Sequence, residues 1–393
     1  MIRTEELAPH YSAFRVAERL LLTGHSHQAW PDVAREGIVA AWDDAALHAD
    51  AKWGRAFEQA ERVREGFRMW LEEPAAELAL DQNTFGLVLR FLSALDLRSR
   101  PRLVTTSGEF HTLRRLMARL AEEELLDVAI VPARPAETLA ERLADSADER
   151  TSAVLVSAVL YEDSRIVPSL GELARACRVR GVELLVDVYH ALGVMPFPLR
   201  PQGLESAWVL GGGYKYLQLG EGNCFLRLPP HADELRPVFT GWYSEFAELA
   251  AEKDPGAVEY PKGGMRFAGA TYDPTSHYRA ARVFDFFAER GLTPQALRES
   301  YLRQTALLAE ALGAPGRREN FGGFLALEVP DAEEVSRRLA EDGVLTDSRG
   351  RYLRLGPAPY LSDDQLARAA DIVALRAAPR NNLGSTIGQG GGS

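Results

Sequence analysis

Strand-like and helix-like segments alternate through the middle of the chain. Short apolar runs of the kind that form buried strands recur between amphipathic stretches with helical spacing. The predicted strands are 102–108, 127–133, 152–161 and 182–188, followed by "AWVLGGG" and "GNCFLRL". This alternation predicts an α/β fold with a mostly parallel central sheet and helices on both faces.

The character of the chain changes near residue 275. Two long amphipathic helices are followed there by short strands and another helix, which predicts a smaller α+β domain over 275–380. Residues 51–274 are expected to form the larger α/β domain, and residues 1–50 to pack with the smaller one. The tail 381–393 is rich in Gly, Ser and Asn, so we expect it to be disordered.

The overall composition is that of a globular protein, with 46% hydrophobic and 26% charged residues among 393. A formal charge of −11 argues against a nucleic-acid partner, because phosphate binding needs a cationic surface. No apolar run is long enough to predict a membrane span. The first twenty residues lack the pattern of a secretory signal, which makes the cytoplasm the expected location.

The segment "LLVDVYHALG" (184–193) places Asp187 at the end of an apolar strand. A carboxylate there is costly to bury unless it meets a cation or strong donors. Ligands of doubly wound sheets collect at the carboxyl ends of the strands, where Asp187 is expected to lie. The alternative is that Asp187 only caps the helix that follows.

The segment "GGGYKYLQLGEG" (211–222) places Lys215 after another apolar strand, between Tyr214 and Tyr216. A lysine desolvated at a strand end can lose its proton and form an imine with a carbonyl group. The glycines allow a flat ligand to approach the backbone, and the phenols can donate to a phosphate or tune the amine. A surface turn would also explain the glycines, but not the strand-end Asp187 that lies 28 positions upstream.

Together these motifs carry a resemblance. Asp–x–x–His, followed further along by Tyr–Lys–Tyr and a glycine pair, resembles the pyridoxal-phosphate (PLP) enzymes of fold type I, in particular the class V aminotransferase branch and, within it, kynureninase. The similarity is dense over 152–228 and patchy over 20–378. It implies the fold-type I architecture, PLP as cofactor and a small amino-acid substrate.

The resemblance implies roles for three residues around the cofactor ring. Lys215 would attach the cofactor through its ε-amine, and Asp187 would pair with the protonated pyridine nitrogen and keep the ring an electron sink. His190 would lie near the cofactor's phosphate or phenolic oxygen. A histidine buried in the core is the alternative for His190.

The same resemblance implies which residues contact the cofactor's phosphate and one face of its ring. Asn83 and Thr84, in "LDQNTFGLVLRFL", would hold the phosphate at a helix N-terminus, although Thr84 could instead be a simple N-cap. Phe110, in "SGEFHTLRR", would stack on the pyridine ring unless it only fills the core. Leu113 stands where family members often have an aspartate.

Further cofactor contacts come from Ser157, in "VLVSAVLYEDS", and from Tyr214, which matches a phosphate-binding tyrosine. Trp242, in "TGWYSEF", and Thr271, in "GMRFAGATYDP", lie in two loops that reach the neighbouring subunit's site in the family. The resemblance therefore implies a homodimer with shared active sites. A core position is the alternative for Trp242.

The substrate-binding end is implied by "LTDSRGRYLRLGPAPYLS" (345–362), where Arg354 would form a bidentate pair with the substrate's α-carboxylate. Arg349 and Arg351 are expected on the surface. His25 and Ser26 lie in "LLTGHSHQAWPD", which resembles a substrate-contacting segment but departs from it in sequence.

The implied reaction is a kynureninase-like hydrolytic cleavage of a Cβ–Cγ bond. The alternatives are a class V aminotransferase or related lyase, and a catalytically silent protein that binds PLP and an amino acid. A desulfurase would need a mobile cysteine, whereas Cys177 lies in a helical pattern and Cys224 in a strand-like one. Neither cysteine belongs to a metal-binding motif, so no metal is expected.

Overall fold

The computed structural model describes residues 2–248, 254 and 256–377. The predicted disordered tail, 381–393, lies outside these residues. Within them the chain forms a large sheet covered by helices, two small sheets and several short 3₁₀ helices.

The strands are β1 (Leu20–Leu21), β2 (Glu77–Asp81), β3 (Arg102–Thr106), β4 (Asp127–Val131), β5 (Thr151–Ser157), β6 (Glu183–Asp187), β7 (Trp208–Gly212), β8 (Cys224–Leu228), β9 (Leu325–Glu328), β10 (Val344–Leu345), β11 (Asp347–Arg349) and β12 (Tyr352–Leu355). The α-helices are α1 (Thr4–Leu7), α2 (Val33–His48), α3 (Lys52–Trp70), α4 (Thr84–Ser93), α5 (His111–Glu122), α6 (Leu139–Ser146), α7 (Leu170–Val179), α8 (Thr275–Glu289), α9 (Pro294–Ala311), α10 (Ala332–Glu341) and α11 (Asp363–Ala377).

The central sheet has seven strands in the order β2-β8-β7-β6-β5-β3-β4. β8 runs antiparallel to both of its neighbours, and the pairs from β7 to β4 are parallel. The predicted mostly parallel sheet flanked by helices is therefore confirmed. The strands are shorter than predicted; the third of them ends at Ser157 rather than at residue 161.

Both faces of the central sheet are buried, which explains the continuous apolar runs in its strands. Along β5, Val154 and Val156 belong to one hydrophobic cluster, whereas Ala153 and Leu155 belong to another. Alternate residues of a strand point to opposite faces, so the two clusters lie on opposite sides of the sheet.

The C-terminal part of the chain builds a three-stranded antiparallel sheet in the order β11-β12-β9, against which α10 packs. The N-terminal strand β1 pairs in parallel with β10, with Leu20 opposite Val344, and α2 packs on α8. These contacts join the first fifty residues to the C-terminal part. The division into domains at residues 50 and 274 remains a prediction.

Several elements were not predicted from the sequence. β2 forms the edge of the central sheet beyond β8, and α2 and α3 occupy much of the chain between residues 33 and 70. Among the described residues, no helix combines the length and the apolar character that crossing a bilayer requires. In the same part of the chain, no cluster of three or more His, Cys, Asp or Glu side chains is arranged to hold a metal ion.

Candidate active site

Three predicted site residues lie at the carboxyl edge of the central sheet. β5 ends at Ser157 and β6 ends at Asp187, and the strand register pairs these two residues. β7 is the next strand; it ends at Gly212, and Lys215 follows in the turn beyond it. The carboxyl ends of neighbouring parallel strands meet at one edge, so residues far apart in sequence converge there.

A cavity of about 360 Å³ opens over this edge of the sheet. We refer to it as the lysine cavity. The predicted cofactor-binding residues that line it are Asn83, Thr84, Phe110, Ser157, Asp187, His190, Tyr214 and Lys215. Eight residues chosen from sequence motifs thus share one enclosed space.

A larger cavity, of about 1110 Å³, lies on another part of the molecule. Several of its charged groups are paired: Arg134 lies 3.0 Å from Asp163, and Arg165 lies 3.0 Å from Glu137. Because no lysine lines this larger cavity, the smaller lysine cavity is the candidate active site.

Lys215 is buried, with 5% of its surface exposed, and its amine is surrounded by rings. The Nζ atom lies 4.9 Å from the centre of the Phe110 ring and 5.0 Å from that of Tyr189. It also lies 2.7 Å from His190 Nε2. Burial holds the pKa of Lys215 well below its usual range, although the charge of Asp187 opposes this shift. The alternative of a surface turn is therefore wrong for Lys215, and the amine is suited to act as a nucleophile.

Asp187 faces the lysine cavity, and its Oδ1 accepts a hydrogen bond from the Tyr189 backbone N–H at 2.8 Å. Burial raises the pKa of Asp187, and that hydrogen bond and the positive charge of Lys215 oppose the rise. A turn rather than a helix follows this aspartate, so the alternative of a helix N-cap is wrong. A carboxylate in such a place favours a positively charged group of a ligand above it.

His190 is buried beside the lysine amine and is neutral. Burial, followed by the charge of Lys215, holds the pKa of His190 well below its usual range. Its Nδ1 atom is buried and has no hydrogen-bond partner among the described residues. A buried polar atom without a partner is uncommon and indicates a missing group, such as a water molecule or a ligand.

The N-terminus of α4 forms one wall of the lysine cavity. Asn83 is its N-cap: the backbone is extended at φ −154°, and Oδ1 accepts a hydrogen bond from Gly86 N–H at 3.0 Å. The predicted alternative that Thr84 is the cap is therefore wrong; Thr84 is the first helical residue. The remaining backbone N–H groups at a helix N-terminus suit an anion such as phosphate.

Phe110 is half-buried at the start of α5, where its ring meets the Tyr161 ring edge-on at 5.6 Å. One face of Phe110 lies toward the Lys215 amine. Leu113 is buried in the same wall, so an apolar side chain stands where the resemblance had suggested a carboxylate.

The two tyrosines beside Lys215 lie in different environments. Tyr214 is half-buried at the cavity, and burial raises its pKa to about 12, which keeps the phenol protonated as a donor. Tyr216 is 1% exposed and packs against Tyr301 with ring centres 5.5 Å apart. Of these two phenols, Tyr214 lines the lysine cavity and Tyr216 does not, so of the two only Tyr214 is placed to donate to a ligand there.

Tyr189 is a site residue that the motifs did not reveal. Its ring lies beneath the Lys215 amine, and its hydroxyl lies 3.5 Å from Cys224 Sγ. A β-carbon on Gly212 would lie only 2.4 Å from the Tyr189 hydroxyl oxygen. The glycine at the end of β7 therefore makes room for Tyr189, rather than only for a ligand.

Glu109 was also missed. It is 1% exposed; Oε2 accepts from the Ser157 hydroxyl at 2.6 Å, and Oε1 accepts from the Thr106 hydroxyl at 2.8 Å. Burial raises the pKa of Glu109 to about 7 against these hydrogen bonds, and the neighbouring Asp187 adds to the rise. The only local signal was a charged residue directly after a predicted buried strand.

The predicted substrate-binding residues lie next to the lysine cavity but do not line it. Arg354, in β12, is 3% exposed; its Nε donates to Asp347 Oδ1 at 2.8 Å, and a second nitrogen donates to Asp347 Oδ2. A third donates to the Tyr161 carbonyl oxygen. The arginine predicted to bind a substrate carboxylate is thus already bound to a carboxylate of the chain.

His25 and Ser26 occupy different environments. His25 is fully buried, with Nε2 2.7 Å from Asp347 Oδ1, and burial lowers its pKa to about 4. Ser26 is half-buried, and its hydroxyl lies 3.3 Å from Nδ1 of His27. Their roles in substrate binding remain predictions.

Trp242 and Thr271 lie together, away from the lysine cavity. The indole Nε1 donates to the Thr271 hydroxyl at 3.2 Å, and Thr271 lines a separate cavity of about 470 Å³. Trp242 is 41% exposed, so its alternative assignment to the core is wrong. Within one chain these two residues contribute nothing to the lysine cavity, and a role in a neighbouring subunit's site remains a prediction.

Both cysteines are buried, and burial raises the pKa of each thiol to about 12. Cys224 lies in β8 at the floor of the lysine cavity, and Cys177 lies inside α7. A protonated thiol fixed in a strand or a helix is unsuited to carry sulfur as a mobile nucleophile.

The groups around the lysine cavity fit pyridoxal phosphate. A buried amine can hold its aldehyde, a strand-end carboxylate can face its ring nitrogen, and a helix N-terminus in the same wall can take its phosphate. The unpaired Nδ1 of His190 leaves a polar atom for such a ligand. Fold and site together define a PLP-dependent enzyme of fold type I.

Comparison with known proteins agrees with this class. Residues 293–373 match the family model described as the kynureninase C-terminal domain. Isopenicillin N epimerase of Streptomyces clavuligerus is 27% identical over 339 residues, which cover 79% of this chain and 83% of that protein. A kynureninase of Bacillus cereus (strain ATCC 10987 / NRS 248) is 26% identical over 240 residues, covering 56% of this chain and 53% of that protein.

Among solved structures, a mutant of C-DES with glycine covalently linked to its PLP cofactor superposes with a TM-score of 0.82 at 17% identity. The match covers 93% of this chain and 98% of that one, and at this identity it supports the fold. Taken together, these matches support a class V PLP-dependent enzyme of fold type I.

Proposed function

We propose that the chain binds PLP in the lysine cavity through Lys215 and acts there on an amino acid. The observation that carries this proposal is the buried Lys215 amine at the same sheet edge as Asp187, within one cavity that also contains the N-terminus of α4. Bound PLP supplies an electron sink for negative charge at the α-carbon of an amino acid.

Different residues of the cavity would contact different parts of this cofactor. Asp187 would pair with the ring nitrogen and keep it charged, Thr84 and the α4 backbone would hold the phosphate, and Phe110 would cover one face of the ring. Tyr214 would donate a hydrogen bond to the phosphate, since its raised pKa keeps the phenol protonated. Ser157 is held by Glu109 beside Asp187.

Lys215 would have a second role as a base toward the bound amino acid. Because burial lowers its pKa to about 7, part of the amine is unprotonated at neutral pH and could accept the proton from the substrate's α-carbon. His190 Nε2, 2.7 Å away, orients the amine and shares its proton.

The reaction that we propose first is a kynureninase-like hydrolysis. In it, water adds to the substrate's γ-carbonyl and the Cβ–Cγ bond breaks, which gives alanine and an anthranilate. The match of residues 293–373 to the kynureninase C-terminal domain supports this choice.

Return of a proton to the α-carbon, as in an epimerase, is a second candidate. It is favoured by the similarity to isopenicillin N epimerase, which spans more of the chain than the similarity to the kynureninase does. Transamination and silent binding of an amino acid remain the other outcomes of the test below.

The test is to incubate the PLP-loaded protein in D₂O with kynurenine, 3-hydroxykynurenine and a panel of amino acids, with and without a keto acid. Alanine and an anthranilate without an acceptor indicate hydrolysis. Turnover that needs the keto acid indicates transamination, and deuterium at an inverted α-carbon indicates epimerisation. Cofactor absorbance without any product would contradict an enzymatic role.

Lys215→Ala is the control for every arm of that test. We expect it to remove the absorbance of covalently attached cofactor and to lower any turnover by about 10² to 10⁴-fold, because it removes both the attachment point and the base. A variant that keeps the absorbance and the turnover would show that another amine performs these roles.

A further inference from the structure

The turn that carries Lys215 is closed by a buried residue with a strained backbone. Gln218 has a φ of 61°, in the left-handed region that residues other than glycine adopt only at a cost in free energy. Its backbone N–H donates to the Lys215 carbonyl oxygen at 3.3 Å. Such a conformation persists only where the surrounding structure fixes it, so the contacts of the Gln218 side chain show what holds this turn.

Both ends of the Gln218 side-chain amide are bound to side chains that are distant in sequence. Its Oε1 accepts a hydrogen bond from the Tyr11 hydroxyl at 2.5 Å, and its Nε2 donates to Gln28 Oε1 at 2.8 Å. The amide nitrogen of Gln28 donates in turn to the Tyr301 hydroxyl oxygen at 2.5 Å. All four side chains are buried, and we refer to Tyr11, Gln218, Gln28 and Tyr301 as the glutamine network.

The glutamine network connects the chain before α2 and the helix α9 to the turn after β7. The ring of Tyr301 also packs against that of Tyr216, with ring centres 5.5 Å apart. Tyr216 and Gln218 both follow Lys215 in the turn. They are therefore held by the same tyrosine, directly for Tyr216 and through Gln28 for Gln218.

The chain before α2 also contacts the residue that precedes Lys215. His27 is the neighbour of Gln28 in sequence, and its ring centre lies 5.1 Å from that of Tyr214. Tyr214 lines the lysine cavity. The N-terminal part of the chain thus contacts residues on both sides of Lys215.

Stability alone does not require polar groups in this place. A fully paired polar network in a protein interior is often no more stabilising than apolar side chains of similar shape, because its groups lose their contacts with water. A paired network does specify one geometry, since each donor must meet its own acceptor. In this protein, the geometry that the network specifies is that of the turn at Lys215.

We propose that the glutamine network positions the Lys215 amine: Tyr11 and Gln28 hold Gln218 in its left-handed conformation, and this conformation places the lysine within its cavity. Gln218 is a positioning residue, because it acts through the backbone of the turn and does not line the lysine cavity. This inference rests on the proposed function, since it concerns the amine that would hold the cofactor.

The experiment compares two single variants, their double variant and a control. Tyr11→Phe removes one hydroxyl and keeps the ring, whereas Gln218→Ala removes the whole amide. The matched control is Gln365→Leu. Gln365 is also a buried glutamine, and its amide donates to the Val16 carbonyl oxygen at 2.8 Å, so it ties the N-terminal part of the chain to α11 rather than to the turn.

The first measurement is hydrogen exchange of residues 213–219 in the protein without cofactor. We expect exchange in this turn to be about tenfold faster in Gln218→Ala and several-fold faster in Tyr11→Phe, because the turn leaves its native conformation more often. Gln365→Leu should lower the melting temperature and leave exchange in the turn unchanged.

The second measurement is the pH midpoint at which the absorbance of covalently attached PLP changes. The attached nitrogen keeps the neighbours of the Lys215 amine, whose pKa depends on burial and then on Asp187. A displaced turn should therefore shift this midpoint by about half a unit or more in Gln218→Ala. Tyr11→Phe should shift it less, and should add nothing in the double variant, because its effect passes through Gln218.

Unchanged exchange and an unchanged midpoint in Gln218→Ala would overturn the inference, as would equal effects in Gln365→Leu or additive shifts in the double variant. If Gln218→Ala does not fold, Tyr11→Phe decides, and wild-type values in both measurements would overturn the inference. Exchange needs no cofactor. A protein that never shows the absorbance of attached PLP would therefore refute the proposed function, whereas exchange would still decide whether the network holds the turn.

Discussion

At the scale of single residues, the site depends on ionisable groups held away from water. Burial lowers the pKa of the Lys215 amine to about 7 and raises the pKa of the Glu109 carboxyl to about 7. Glu109 holds Ser157 by two hydrogen bonds, from its hydroxyl and from its backbone N–H. Titration of this buried carboxyl should therefore make the stability of the protein depend on pH.

Glu109 should make stability fall as the pH rises. Its pKa is raised from an ordinary 4.5 to about 7, so between these values the folded state binds more protons than the unfolded state. The resulting loss across this window is on the order of 3 kcal/mol. Glu109→Gln, which resembles the protonated acid in shape, should therefore gain in melting temperature relative to the wild type between pH 5 and pH 8.

The control for that measurement is Glu65→Gln, on the exposed side of α3. It should follow the wild-type profile at every pH. A Glu109→Gln profile parallel to that of the wild type would mean that Glu109 is ionised in the folded protein throughout this range.

At the scale of elements, α4 contacts both the lysine cavity and the central sheet. Its N-terminus faces the lysine cavity, and its body packs on the sheet through Leu87, Val88 and Phe91. The helix therefore positions its free N–H groups through the core rather than through a flexible loop. The affinity for an anion at this N-terminus should depend on Asn83, the residue that caps the start of the helix.

Asn83→Ala should cost about 1 kcal/mol of stability, since it leaves the Gly86 N–H without its acceptor. It should also weaken binding of PLP several-fold more than binding of pyridoxal, which lacks the phosphate. Thermal unfolding and equilibrium titration with both compounds measure these effects.

The matched control is Thr293→Ala, which removes the cap of α9, where Thr293 Oγ1 accepts from Ala296 N–H at 3.2 Å. It should lower stability to a similar extent and leave both affinities unchanged. Equal loss of PLP and pyridoxal affinity in Asn83→Ala would argue that the helix N-terminus does not hold the phosphate.

At the scale of the whole molecule, apolar side chains are exposed near the C-terminal end of α4. Phe239 is 56% exposed and Val238 is 75% exposed, and the backbone of both is hydrogen-bonded to Ser93 at the end of α4. Trp242 follows closely in sequence and is exposed as well. Exposed apolar groups close together are typical of an interface, which fits the proposed homodimer with shared sites.

Mixing two inactive variants tests that arrangement. If Trp242 completes the partner's site, Lys215→Ala and Trp242→Ala subunits should form mixed dimers in which one of the two sites has both residues intact. Random reassembly would place about half of the molecules in mixed dimers and restore about a quarter of the wild-type activity. Recovery is measured after unfolding and refolding the two variants together.

Each variant refolded alone is the control and should remain inactive. Absence of recovery in a mixture that is dimeric by light scattering would mean that each site is built from one chain. A wild-type protein that stays monomeric at micromolar concentration would contradict the shared site altogether.

The sequence by itself determined the central sheet and the residues at its carboxyl edge. Alternating apolar runs and amphipathic stretches report locally which backbone is buried, so the strand end at Asp187 and the turn at Lys215 followed from the pattern. The strand end at Ser157 did not, because the apolar run continues to residue 161. The resemblance around residues 152–228 then named a cofactor that these groups fit.

Only the tertiary structure decided which partners the remaining polar groups meet. Asp347 binds Arg354 and His25, Glu109 binds Ser157, and Tyr216 enters the core while Tyr214 does not. The physical reason is that a hydrophobic pattern reports burial, whereas the pairing of buried polar groups depends on side chains that are distant in sequence and meet only after the elements have packed.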